Sequence, residues 1–303
     1  MLAAFMARVI DPNDLAETQR REVRTMLAAH PGPLRIRGIL TAGEGPSAVY
    51  AEYTRKACES VGVAFETVVT ERLAVEDAIK RANDDETVHG IMVYYPVFGT
   101  QQDAYLRDTV SPNKDMEGLH ELWRRRLFDN VRFVDEAQTK KCILPCTPLA
   151  ILKLVDGAGF FADTGQPLHG KKVCIFNRSE VVGRPLAVML ANDGADVVSF
   201  DIDGPLHFVG TGEHAHRVEE IDIDRATALK RADIVITGVP SKAFEKVRAD
   251  EVRPGALCLN FSTRKNFAPD VKEAEVTFIP RVGPMTVTMA IRNAARLYGH
   301  THT

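Results

Sequence analysis

No run of apolar residues in this chain approaches the ~18–20 needed to cross a bilayer, which excludes a membrane-spanning helix. An excess of charge of one sign is also missing. Lys and Arg number 38 against 41 Asp and Glu, a formal net charge of −3, so nothing electrostatic favours nucleic acid or an anionic membrane as partner. Cysteine is sparse and odd in number: Cys58, Cys142, Cys146, Cys174 and Cys258 are scattered along the chain. That distribution argues against a disulfide framework and fits a reducing compartment. Cys142 and Cys146 are spaced too loosely for a redox pair, and no second pair completes a zinc site. Small buried hydrophobes are the simplest reading of all five. Internal repeats and low-complexity tracts are absent, and no basic segment precedes the apolar start MLAAFMARVIDPND. A cleaved targeting peptide is therefore not expected, and a cytoplasmic enzyme is the default.

What is present is an ordinary globular composition over 303 residues, with 45% hydrophobic and 26% charged side chains. That length suits two modest domains. The first half alternates strand-like and helix-like segments. Residues 34–41, 64–70 and 87–95 read as strands, with helices near 47–61 and 73–83 and a leading helix near 13–29. Such alternation implies parallel strands joined by helical crossovers. A second alternating series follows the turn-rich DTGQPLHG at 163–170. Its strands are 171–176, 195–201, 232–239, 256–261 and 275–279, and its helices lie near 181–193 and 223–231. A last helix near 286–298 is long enough to dock back on the first domain. The expected architecture is α/β: an N-terminal α/β domain and a Rossmann-type doubly wound domain with a cleft between them. The expected boundaries are 1–148 plus 286–303 for the first and 149–285 for the second.

The polar stretch 203–221 carries His207, His214 and His216 and reads as a solvated insertion loop. No neighbouring Cys or carboxylate pair completes a metal set around His214 and His216, and no metal site is expected. Gly210-Thr211-Gly212 neither follows a strand nor opens a helix, so it is a weak phosphate signal.

The segment KKVCIFNRSEVVGRPLAVML (171–190) is more informative. A buried strand ends at Asn177-Arg178-Ser179 and a helix begins within a few residues, where a doubly wound fold presents N–H groups and a positive helix end to a pyrophosphate. Gly183, lacking a β-carbon, lets the helix approach the ligand or the sheet closely. Arg178 offers a fixed charge and Ser179 a hydroxyl to phosphate. The pattern is not GxGxxG, and an ordinary strand–turn–helix with Ser179 as N-cap is the competing reading. The next strand ends in Ser199-Phe200-Asp201, then Ile202-Asp203. An acid at that tip accepts bonds from an adenosine ribose and repels a 2′-phosphate. With no Arg or Lys between Ala195 and His216, NAD is favoured over NADP, Asp201 being the better candidate and Asp203 the second.

Five segments occur in an informative order: SAVYAEYTRKACESVG (47–62), GIMVYYPVFG (90–99), KDMEGL (114–119), LPCTPLAI (144–151) and NRSEVVGRP (177–185). Together they resemble the methylenetetrahydrofolate dehydrogenase/cyclohydrolase family, in particular its yeast-type monofunctional, NAD-dependent branch. The resemblance implies a folate-binding N-terminal domain, a cofactor domain using NAD, tetrahydrofolate derivatives as substrates, and a homodimer. Departures are as telling as matches. Bifunctional members resemble Tyr-x-x-x-Lys on the first cleft helix, the lysine serving the cyclohydrolase step; here the pair is Tyr50 and Thr54. Positions i and i+4 share a helix face, whereas Lys56 sits roughly 200° around from Thr54. The bifunctional V-Q-L-P-L-P becomes Val93-Tyr94-Tyr95-Pro96-Val97-Phe98, so Tyr94 replaces the glutamine that bonds the lysine. The family's D-V-D-G acid becomes Glu117, which the resemblance assigns to the amino-pyrimidine edge of the pterin. By the same resemblance Thr147 lies at the domain junction, where Thr before Pro148 also reads as an N-cap. Gly238 lies where a strand end meets the cofactor. Pro284 belongs to a loop, Arg281 to Thr286, that looks like a shortened G-G-V-G-P-M-T.

The reaction implied is hydride transfer from 5,10-methylenetetrahydrofolate to NAD, which demands positioning more than a protein base. Ring opening of the methenyl product needs activated water and proton movement. Loss of the lysine therefore removes the second activity and spares the first. Tyr50 is the candidate for closing over the folate, and Thr54 is a site residue by position without an assigned catalytic task. A bifunctional enzyme, a dehydrogenase for another metabolite and a catalytically silent folate- or NAD-binding protein are the rival readings.

Overall fold

The computed structural model describes residues 6–30, 32–211 and 216–301. A two-residue strand β1 (Arg8–Val9) and a helix α1 (Pro12–Ala28) come first. Then follow β2 (Arg35–Leu40), α2 (Pro46–Glu59), β3 (Ala64–Val69), α3 (Val75–Asp84), β4 (Gly90–Val93), α4 (Gln102–Thr109) and α5 (Glu121–Phe128). Strands β2, β3 and β4 form one parallel sheet in the order β3-β2-β4. Ile36, Ile39 and Leu40 of β2 and all of β4 are buried, as expected of strands covered by crossover helices. The apolar face of α3 (Val75, Ala78, Ile79, Ala82) packs into the same core as Ile91 and Val93. Each large apolar side chain there contributes about 1.5–3 kcal/mol by burial.

The remaining elements are α6 (Cys146–Gly157), β5 (Lys172–Phe176), α7 (Gly183–Asn192), β6 (Asp196–Asp201), β7 (Gly204–Gly210), β8 (His216–Glu220), α8 (Arg225–Arg231), β9 (Ile234–Thr237), β10 (Leu257–Asn260), β11 (Thr277–Ile279) and α9 (Gly283–Thr301). With β1, their strands build an eight-stranded sheet in the order β1-β11-β10-β9-β5-β6-β7-β8. It is parallel from β1 to β6 and antiparallel from β6 to β8. Strands β9 and β10 are buried along their full lengths, which fits apolar runs covered on both faces. No described helix is long and apolar enough to cross a membrane.

The chain divides into two compact units, here called the first and second units. The first takes in Ala16–Arg126, Val131–Cys146 and 287–301; the second takes in 6–15, Leu127–Asn130 and Thr147–Thr286. The boundaries expected from sequence place 6–15 and 127–130 in the first. Strand β1 explains one difference, because Arg8 and Val9 pair with Thr277 and Phe278 at the edge of the larger sheet.

Two other segments differ from expectation. The stretch 203–221 is not a plain loop: β7 and β8 form an antiparallel hairpin that extends the sheet from β6. Asp201 pairs with Gly204 across a two-residue turn, and Gly204 takes φ +98°. Phe208 is fully buried, and that burial, more than strand propensity, anchors the hairpin. The last helix starts at Gly283, with Pro284 in its first turn, where proline costs no hydrogen bond.

Candidate active site

In the first unit, α2 opens with Pro46 at its first turn and carries Tyr50 and Thr54 on one face. Thr54 is fully buried, and its hydroxyl donates to the Tyr50 carbonyl at 2.8 Å. Tyr94 follows β4 and extends its pairing, since its N–H donates to the Ile39 carbonyl at 2.9 Å. Its ring meets that of Tyr50 edge to face, with centroids 5.9 Å apart and planes at 82°. Such a contact is worth about 0.5–1.5 kcal/mol beyond area burial. Burial raises the Tyr94 phenol above its ordinary pKa, and the adjacent Thr54 hydroxyl offsets this only in part. The Tyr50 phenol is raised well above its ordinary value by burial, with Cys146 and Glu117 adding to the effect.

Glu117 sits in a tight segment built by Asp115. The Asp115 carboxylate accepts the N–H groups of Glu117 (3.2 Å), Gly118 (3.0 Å) and His120 (2.7 Å). The segment lies beside β4, with the Ile91 N–H donating to the Lys114 carbonyl at 2.8 Å, and the Glu117 carbonyl accepts the Cys146 N–H at 2.9 Å. The N–H of Val93 donates to Glu117 Oε2 at 3.2 Å. Burial first, and then the Asp115 charge, push the Glu117 carboxyl up to about 8; Asp115 itself is pushed by burial to about 6. Glu117 nevertheless retains some accessible surface. Two residues without an assigned role in the sequence reading complete this region. The Tyr95 phenol is buried without a hydrogen-bond partner among the described residues, and the Arg107 guanidinium lies 5.9 Å from its ring centroid. Consecutive tyrosines after an apolar strand are the signal that could have found the first.

The lysines of this unit lie elsewhere. Lys56 is exposed and pairs with Glu52 at 3.5 Å. Lys80 bonds Glu76 at 2.6 Å, and Lys140 donates to the His300 carbonyl at 2.7 Å. Lys114 donates to the carbonyls of Ala82, Asn83 and Asp85, closing the end of α3. Lys141 is exposed. The group of Tyr50, Thr54, Tyr94 and Glu117 therefore offers aromatic surface and a titratable carboxyl, with no described lysine bonded into it. In the same unit Asn293 of α9 donates to the Met116 carbonyl at 3.1 Å and the Leu144 carbonyl at 2.8 Å, fixing the stretches of loop that flank Glu117.

In the second unit the strand order reverses at β5, which has β6 on one side and β9 on the other. Ligands of doubly wound folds bind outside the carboxyl ends of strands at such a point. Asn177 follows β5, and its side-chain amide spans the switch by donating to the Gly238 carbonyl beyond β9 at 3.0 Å. Its Oδ1 accepts the Ser179 N–H (3.1 Å) and hydroxyl (2.7 Å), and the Ser179 hydroxyl accepts the Gly183 N–H at 3.3 Å. Ser179 thus organises the loop and is not the N-cap, because the helix begins at Gly183 with Val182 in the capping position. A β-carbon on Gly183 would overlap the Asn177 carbonyl oxygen, so its close approach is to the loop after β5. At Gly238 the Phe261 ring occupies the space a β-carbon would need. Phe261 has no motif around it that would mark it in the sequence.

Arg178, expected to offer its charge to phosphate, is engaged by the protein itself. Its side chain is only 6% exposed, and the guanidinium donates to the carbonyls of Ser199 and Gly204, both at 2.9 Å, and to the Asp203 carboxylate. Asp201 is exposed at the tip of β6; its two oxygens accept the N–H groups of Arg178 (2.7 Å) and Ile202 (2.8 Å). Each oxygen keeps a lone pair for a ribose hydroxyl. A strand-order switch, a loop leading into a helix N-terminus and an exposed acid at the next strand tip form a donor and acceptor set that suits an adenine dinucleotide. Thr147 lies one residue inside α6, not before it, and belongs with Pro284 to this unit.

The remaining candidates are structural. All five cysteines are buried outside disulfides, and burial pushes the Cys58 and Cys258 thiols up to about 12. Among the described residues no group of three or more His, Cys, Asp or Glu is placed to hold a metal ion. His207 contacts Asp196 (2.7 Å) and Glu219 (3.3 Å), His216 stacks on Phe208, and His214 and Gly212 lie outside the described residues.

Comparison with known proteins identifies the family. Residues 10–117 match the family model for the tetrahydrofolate dehydrogenase/cyclohydrolase catalytic domain, and residues 145–302 match that for its NAD(P)-binding domain. The chain is 41% identical over 296 residues to the methylenetetrahydrofolate dehydrogenase [NAD(+)] of Dictyostelium discoideum, covering 96% of this chain and 94% of that one. To the enzyme of the same name from Saccharomyces cerevisiae it is 42% identical over 278 residues, covering 88% and 86%. The solved structure of the NAD-dependent 5,10-methylenetetrahydrofolate dehydrogenase from Saccharomyces cerevisiae superposes with a TM-score of 0.89 at 38% identity, covering 98% of each chain.

Proposed function

Since the chain belongs to the tetrahydrofolate dehydrogenase/cyclohydrolase family, we propose that it oxidises 5,10-methylenetetrahydrofolate to 5,10-methenyltetrahydrofolate with NAD and has little or no cyclohydrolase activity. The observation carrying this reading is the Tyr50–Thr54–Tyr94–Glu117 group, which meets a flat heterocycle with aromatic rings and a carboxyl but brings no lysine to it. NAD, when bound, supplies the acceptor for the hydride.

The chain's own residues position and shield. Tyr50 and Tyr94 provide an apolar wall that excludes water from the reacting carbon. Glu117 takes the amino-pyrimidine edge; as its carboxyl is held near 8, accepting two N–H bonds draws it toward the ionised form. A folate nitrogen lone pair stabilises the cation left when the bridging carbon loses hydride, so no protein base is required for the step. Hydrolysis of the product would need a group to move protons to and from water, and Thr54, whose hydroxyl is engaged with the Tyr50 carbonyl, is not one. Asn177, Ser179 and Gly183 shape the phosphate loop, Asp201 accepts the ribose hydroxyls, and Gly238 with Phe261 borders the dinucleotide at the strand-order switch. Thr147 and Pro284 contribute substrate contacts. A cytoplasmic homodimer is the assembly proposed.

Following NADH formation from methylenetetrahydrofolate tests the first activity. Absence of turnover with NAD in that assay would refute the proposal.

A further inference from the structure

Arg178 is tied to the turn between β6 and β7 twice. Its main-chain N–H donates to Asp201 at 2.7 Å, and its guanidinium donates to the Ser199 and Gly204 carbonyls and to the Asp203 carboxylate. The Arg178 side chain is 6% exposed, whereas that of Asp203 is 73% exposed. A fixed cation thus belongs to the residue that bonds the ribose-type acid, yet it is turned inward and paired. No Arg or Lys occurs between Ala195 and His216 to take its place.

We infer that Asp203 is a specificity-determining residue for the dinucleotide: by pairing with Arg178 it withdraws the guanidinium that a 2′-phosphate would need. This rests on the dinucleotide reading of the site. Competition between partners decides where the guanidinium goes. Guanidinium groups bind phosphate by charge-assisted, often bidentate bonds, which outcompete neutral carbonyls. While Asp203 is ionised, a 2′-phosphate faces two carboxylates, Asp201 and Asp203, and a cation already neutralised. Remove the Asp203 charge and the guanidinium is held by two carbonyls alone, with one repulsive charge gone. Asp201 selects for ribose hydroxyls by direct contact; Asp203 selects against phosphate by occupying Arg178. Asp203 is therefore a positioning residue, acting through another side chain.

The test compares wild type, Asp203→Asn and Asp203→Asn/Arg178→Gln. Calorimetry measures binding of 2′,5′-ADP and 5′-AMP, two probes that differ at the 2′-phosphate, and initial rates compare NADP with NAD. In Asp203→Asn the affinity for 2′,5′-ADP relative to AMP is expected to rise about tenfold or more, with the kcat/KM ratio for NADP over NAD rising in parallel. The double variant is expected to lose that gain. An unchanged ratio in Asp203→Asn would overturn the inference, as would a gain that persists without Arg178, since loss of negative charge alone would then explain it. If wild type binds AMP and these results fail, this inference falls by itself. If wild type binds neither AMP nor NAD, the dinucleotide reading falls and takes the inference with it.

Discussion

The Val93 N–H reaches Glu117 Oε2 at 3.2 Å, joining the end of a buried strand to a carboxyl held near 8. Burial is the main cause of that raised value and the neighbouring Asp115 adds to it, while the Val93 bond opposes both. One favourable bond does not offset the loss of hydration.

That balance has a consequence for stability. The folded-state pKa of Glu117, about 8, lies above its ordinary 4.5. A raised value means the folded protein favours the protonated form, so the group is harmless below its unfolded pKa and increasingly destabilising as pH rises from there to its folded pKa. Glu117→Gln, a neutral isostere, is expected to raise Tm by about 2–4 °C at pH 8 and to change it little at pH 4.5. Thermal unfolding across that range checks it; equal shifts at both ends would contradict the assigned titration. The same variant is expected to raise the KM for methylenetetrahydrofolate, because an amide presents one acceptor oxygen and an NH2 donor where a carboxylate presents two acceptor oxygens.

Gly183 is where the phosphate loop meets its helix. A β-carbon there would overlap both the carbonyl oxygen and Oδ1 of Asn177. Gly183→Ala must displace Asn177, which also holds Ser179 and the Gly238 carbonyl. A loss of about 1–3 kcal/mol is expected from overpacking, together with weaker AMP binding. Denaturant unfolding and calorimetry on one preparation check both; unchanged nucleotide affinity would separate Gly183 from the cofactor site.

Asp201→Ser removes the acceptor at the tip of β6. Preference for NAD over NADP is expected to weaken, by a loss of NAD affinity of about tenfold, since the charged acceptor for the ribose hydroxyls is gone. Initial rates with both dinucleotides measure it. An unchanged preference would remove Asp201 from the ribose site.

The alternation of strands and helices is legible in both halves, and 34–41, 64–70 and 171–176 fall within a residue or so of β2, β3 and β5. β5 reads as a buried apolar run, whereas β3, which has no buried residue, is marked by its β-branched and aromatic residues. The pairing of Tyr50 with Thr54 on one helix face likewise follows from helical spacing alone. The hairpin after Asp201 is harder to see. Its Gly, Pro and His content resembles a loop, and the strand signal rests on the alternation around Phe208 and on the Ile202-Asp203 turn that Gly204 closes. Arg178 shows a different limit. Its residue type suggests phosphate, but its direction is decided by acceptors on β6 and β7 that lie 21 to 26 residues away in the chain. The titration of Glu117 also depends on tertiary burial, which residue order does not reveal.

Whether the protein carries one activity or two is tested most directly by assaying the two half-reactions separately on one purified sample. NADH formation from methylenetetrahydrofolate should proceed, while hydrolysis of added methenyltetrahydrofolate should match the enzyme-free rate. Enzyme-dependent hydrolysis, whether retained or lost when Lys56 is changed to Met, would contradict a single activity.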